Sequence, residues 1–125
     1  MPTTTRTPSG KFPERGPVHH LDLEAAADEL LEQLPGNRRK SESLAREAGV
    51  SLVMMALEEG DALNEHAADG VVTVQLLRGR TTLTAEGETV TLQPRQMALF
   101  QPGIRHSVRA DERSVILLTV TGGEV

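Results

Sequence analysis

Two hydrophobic periods divide the chain. Between His19 and Pro35 the apolar residues Leu23, Ala26, Ala27, Leu30, Leu31 and Leu34 recur at helical spacing and form one stripe. Asp22 stands where a cap would accept the first free backbone N–H groups, with Ala25 rather than a Glu at the capping-box position. Pro35-Gly36-Asn37 stops the run, so the pattern predicts one helix near Asp22–Leu34. From Ser41 the period falls to two. The alternation predicts strands at Ser41–Arg46, Val50–Leu57, Val71–Arg78, Thr81–Ala85, Glu88–Leu92, Gln96–Phe100, His106–Ala110 and Ser114–Thr121. Turn residues separate them, among them Ala48-Gly49, Gly60-Asp61, Gly79-Arg80, Glu86-Gly87 and Pro102-Gly103. Val115-Ile-Leu-Leu-Thr-Val is apolar almost throughout and is expected at the centre of a sheet, whereas Thr81–Ala85 and Thr89–Leu92 alternate as strands with one solvated face do.

Short strands at this spacing predict an all-β fold, an antiparallel sandwich or barrel preceded by one N-terminal helix. The expected organisation is an N-terminal arm over 1–18, helix and linker over 19–40, barrel over 41–121 and a tail over 122–125. No internal repeat interrupts it. Hydrophobic residues make up 38% of the chain, enough for a modest core. There are no cysteines, so disulfides, thiolate metal sites and cysteine nucleophiles are excluded. A net charge of −5 repels phosphate backbones, and Phe12 and Phe100 are too few aromatics for a base-stacking platform, so nucleic acid is set aside as a partner. No apolar run has the length of a membrane span, and the Thr-, Pro- and Gly-rich N-terminus lacks the apolar block of a secretory signal. No membrane partner and a cytoplasmic location are the resulting expectations.

Two segments carry most of the remaining information. One runs from Gly60 through Asn64, His66, Ala68, Asp69 and Val72 to Gly79; the other is Ala98-Leu-Phe-Gln-Pro-Gly-Ile-Arg-His106-Ser-Val. Together they resemble the two sequence motifs of the cupin family. In the first motif Gly60, His66 and Gly79 stand in place, while the family's second His falls on Ala68 and its Glu on Val72. The second segment looks like the family's Pro-x-Gly-x-x-His run with one residue missing between Pro102 and Gly103. The resemblance covers roughly Ser41 to Thr121 and implies a jelly-roll cupin β-barrel.

The usual cupin site, so the resemblance implies, holds a metal with three His and one Glu projecting into the barrel. Here two imidazoles, His66 and His106, are retained and two ligands are lost. Period two places Asn64, His66 and Ala68 on one inward face, with His106 entering from another strand. Asp69, in the loop after His66, is the candidate third ligand of a two-His, one-carboxylate site for a divalent ion. The reading without metal leaves both histidines in a polar pocket mouth, bonded to each other, to water or to Asn64. By alternation the pocket takes Met54, Ala56, Val72, Val74, Leu76, Leu99 and Val108, a lining suited to a small apolar or weakly polar ligand. Arg105 is expected at the rim. Ser107 falls on the face opposite His106 and cannot pair with it. No Gly-x-Ser-x-Gly run or phosphate loop is present. His19 and His20, adjacent in the N-terminal section, lack the spacing of a ligand pair on a regular element.

The functional expectation is a small barrel that binds a small molecule, with a divalent metal as the one candidate cofactor. The alternative is a metal-dependent oxygenase or isomerase using His66 and His106. A homodimer is expected, because the stripe of Leu23, Leu30, Leu31 and Leu34 needs a cover and a barrel of this size buries a limited core.

Overall fold

The computed structural model describes residues 17–122, and of Glu65 and His66 the backbone only. The N-terminal arm as far as residue 16 and the tail from residue 123 lie outside the described residues.

Helix α1 spans Leu23–Gln33, and the cap is the one the sequence offers: Asp22 Oδ1 accepts from the Ala25 N–H at 3.0 Å. At the other end the Asn37 amide donates to the Gln33 carbonyl at 3.1 Å, satisfying one of the last free acceptors. Nine strands follow: β1 (Arg39–Glu47), β2 (Val50–Leu57), β3 (Ala62–His66), β4 (Val72–Arg78), β5 (Thr81–Ala85), β6 (Glu88–Leu92), β7 (Met97–Phe100), β8 (His106–Ala110) and β9 (Ser114–Thr121). They form two antiparallel sheets, β1-β2-β9-β4-β7 and β3-β8-β5-β6. The fold is the all-β barrel with one helix that the periodicity predicts. β9 lies at the middle of its sheet, as its apolar run requires.

β3 was not among the predicted strands. Of the side chains described in Ala62–His66, Leu63 alone packs on the interior cluster, and the register of β3 on β8 shifts between Leu63 and His66, so the segment has no clean period of two. That shift also corrects the expected face of Asn64. Leu63 pairs with Val108 and His66 with His106, leaving two residues on β3, Asn64 and Glu65, opposite one on β8, Ser107, and Asn64 is exposed rather than inward.

Burial divides into two clusters on the two faces of the five-stranded sheet. Inside, Leu57, Val72, Val74, Leu76, Leu83, Leu92, Val108, Ala110 and Ile116 fill the barrel. Outside, Ala26, Ala27, Leu30 and Leu34 of the helix segment cover Leu44, Met54, Ala56, Val115 and Leu117. Met54 and Ala56 therefore belong to the helix contact and not to the pocket; Met55 and Leu57 are the inward residues of β2. A strand covered on both faces is apolar at consecutive positions, so its alternation no longer tells inside from outside. The helix stripe is covered by the chain's own sheet and needs no second subunit to bury it.

Two details fix the frame. Gly79 has φ +88°, and an added Cβ would collide with the Arg113 carbonyl and the Ser114 hydroxyl, so the β4–β5 turn requires glycine on both counts. Asp61, 2% exposed, receives Arg39 in a bidentate pair (2.9 and 3.0 Å) and Arg38 Nε at 3.2 Å, while Arg39 also donates to the Ala62 carbonyl. This joins β1, an edge of one sheet, to the chain entering β3, an edge of the other.

Candidate functional site

Strand register resolves the inward face of the four-stranded sheet into rows. The deepest holds Leu92, Thr81 and Ala110, and the next Val90, Leu83, Val108 and Leu63. The outermost holds Glu88 of β6, Ala85 of β5, His106 of β8 and the backbone position of His66 on β3. Directly paired residues on neighbouring antiparallel strands project to the same side. The barrel is thus mostly apolar at its floor, where Thr81 brings one hydroxyl, and polar at one end. The opposing sheet answers the outermost row with Phe100, Val72 and Val120.

His106 is 1% exposed and stacks on Phe100, with ring centroids 4.3 Å apart and planes inclined by 8°. Its Nδ1 lies 3.2 Å from the Ile104 carbonyl. A carbonyl only accepts, so Nδ1 carries the proton, and in the neutral ring Nε2 is the lone-pair atom. The Pro102-Gly103 turn that leads into β8 is tied back to the loop after β3 by Gly103 N–H donating to the Ala68 carbonyl at 2.9 Å, which brings the two motif segments together.

A cavity of about 360 Å³ opens between β6 and β7. Leu83, Ala85, Val90, Ala98, Phe100 and Ile104 give it apolar walls, and Glu86, Glu88, Gln101 and Leu99 stand around it. Of the residues expected in the pocket, Leu99 lines this opening but is 56% exposed and pairs with Thr73 rather than sharing the inward face of Ala98 and Phe100. Val72, Val74 and Val108 lie in the barrel interior. Met54 and Asn64 do not belong there, for the reasons given above. Phe100, Ala85 and Glu88 were missed. Each sits in an ordinary alternating strand, and only the strand order shows that β6 and β7 face one another across a gap.

Ala68 packs against the interior cluster and Val72 is buried within it, so two of the four positions that carry ligands in cupins are hydrocarbon. Among the described residues no group of three His, Asp or Glu could hold a metal ion, and Asp69 is exposed in the bend after β3. The residues present do not fit the family's four-ligand centre. The side chain of His66 lies outside the described residues. His19 Nε2 is 3.5 Å from the Glu47 carboxylate, and neither His19 nor His20 lines the cavity.

No protein-family model matches the chain and no curated protein matches it. Solved structures do. A cupin superfamily protein from Desulfitobacterium hafniense is 18% identical with a TM-score of 0.67, over 70% of this chain and 80% of that one. A conserved protein of unknown function from Streptococcus pyogenes is 24% identical with a TM-score of 0.67, over 72% of this chain and 79% of that one. The DMSP lyase DddQ from Ruegeria pomeroyi is 18% identical with a TM-score of 0.63, over 69% of this chain and 48% of that one. The chain has the cupin fold. At these identities the likeness concerns architecture, and neighbours of one fold differ in what they do.

Proposed function

We propose that this cupin barrel binds a small organic molecule in the cavity between β6 and β7. The observation that carries the reading is the cavity itself: about 360 Å³, walled by apolar side chains, with the Phe100–His106 stack beside it. Its size falls at the low end of the roughly 300–1,000 Å³ of ligand pockets, which favours a ligand of few atoms. The interior holds hydrocarbon at Ala68 and Val72, so recognition rests on shape, apolar contact and few polar groups. Titration of the whole chain with benzyl alcohol, followed by amide NMR, tests this. Shifts concentrated at Leu83, Ala85, Ala98 and Phe100 are expected, and shifts confined elsewhere would remove the cavity from the function.

The second reading is a metal-dependent enzyme, an oxygenase or isomerase, and one observation favours it: the register of β3 on β8 sets the backbone of His66 opposite His106. Elemental mass spectrometry of tag-free protein separates the two. An ion at one equivalent, lost in both His66→Ala and His106→Ala, would put the metal reading first. A homodimer and a cytoplasmic location belong to the same proposal. Met97 and Leu99, exposed on edge strand β7, offer apolar contact to a second copy, and a chain without cysteines needs no oxidising compartment.

A further inference from the structure

We infer that the cavity selects small organic cations, with Glu88 holding the positive head; this rests on the ligand-binding reading above and names its ligand class. Glu88 is the inward residue at the open end of β6. It pairs with Ala85 just as Val90 pairs with Leu83 and Leu92 with Thr81, so it shares the face of the buried Leu92. Ala85 also pairs with His106 on its other side. Glu88 and His106 are therefore two strands apart in one row, with only a methyl group between them. Adjacent strands lie about 4.8 Å apart, so the two backbones are separated by roughly 10 Å, enough for a ring and a one-carbon link to a charged head.

Among the described residues that line that space, the charge has one sign. Glu86, in the hairpin turn next to Ala85, adds a second carboxylate, and no Lys or Arg is among the described residues that line the cavity. Arg105, next to Ile104, is exposed outside the lining. The net charge of −5 works in the same direction on approach. An anion would meet two carboxylates with no counter-charge among the described lining residues. A neutral ligand would use the apolar walls alone, and a cation gains the walls and the carboxylates together.

The test uses the full chain and three probes of one shape, benzylammonium, benzyl alcohol and benzoate, titrated by amide NMR at low and at high salt. Glu86 and Glu88 are exposed, so each is worth about two- to five-fold in affinity and is screened by salt. The expected order is benzylammonium tightest and benzoate weakest. The first preference should shrink at high salt and fall about two- to five-fold in Glu88→Gln, with benzyl alcohol unchanged. Equal affinity for the ammonium and the alcohol, or a Glu88→Gln protein that keeps the preference, would overturn the cation inference and leave the cavity reading standing. If none of the probes shifts the residues lining the cavity, both fall. Ala85→Leu checks the location: it fills the space over the row and should weaken the ammonium and the alcohol alike. A folded Ala85→Leu protein that binds both as before would move the site elsewhere.

Discussion

Asp61 shows how much one side chain can carry when it is buried beside cations. Burial alone would raise its pKa. The hydrogen bonds and charge of Arg39, with the further hydrogen bond of Arg38, outweigh that penalty and hold the carboxyl below the usual carboxylate range. A carboxyl whose folded pKa is depressed adds stability above its unfolded pKa of about 3.9, and this is lost as pH falls through that value toward the folded one. Asp61→Asn should therefore lose about 1.5–3 kcal/mol at neutral pH, the range for hydrogen bonds to charged groups, because Arg39, half-exposed, and Arg38, 78% exposed, can rehydrate. Urea unfolding of the two proteins at pH 7 and pH 3 checks this. The gap between them should be wide at pH 7 and narrow at pH 3; an equal gap at both would assign the loss to packing.

Among the elements, α1 and the strands beneath it depend on one another. The helix is only 11 residues long, too short to hold by propensity in water, so its stability comes from the apolar face it lays on β1, β2 and β9. Arg78, delivered to the helix side by the register shift between Leu76 and Arg78, reaches Glu24 at 2.6 Å and Asp28 at 3.0 Å. These pairs are exposed at their acidic ends and orient the helix more than they stabilise it. Leu30 is the central buried residue of the contact, 2% exposed. Leu30→Ala should destabilise the whole barrel by about 2–5 kcal/mol, as a large-to-small change in a packed core does. Thermal unfolding by circular dichroism at a strand wavelength is the check. A barrel whose melting is untouched would mean that the helix docks as an appendage.

At the scale of the molecule, the two seams between the sheets are unlike. The β1–β3 side is bridged by Asp61 with its arginines, and the β6–β7 side holds the cavity. Both edge strands at the cavity are thinly covered: four of the five residues of β6 are exposed, as are Met97 and Leu99 on β7. β9 is buried between two neighbours and between two apolar clusters. Local opening should follow that contrast. Amide hydrogen exchange is expected to be slowest in β9 and at least about tenfold faster in β6 and β7. A uniform rate across the sheets would mean that the barrel opens only as a unit.

The amino-acid order by itself determined the element types and most of their limits, with β3 the exception. Helical and strand periods are local properties of the chain, as are the Asp22 cap and the glycine turns. It also marked His106 and Val72 as interior positions, since each lies in a strand with a clear alternation. It could not tell which face of β2 looks inward, because Val50–Leu57 is apolar on both sides and only the docked helix separates Met54 from Met55. Nor could it place Asn64, whose direction depends on a register shift set by the partner strand. The row of Glu88, Ala85 and His106 joins residues from three strands that are not all consecutive in the chain. Pairing across a sheet is a tertiary choice, and it alone turns an unremarkable glutamate into the one acidic side chain on the cavity face of β6.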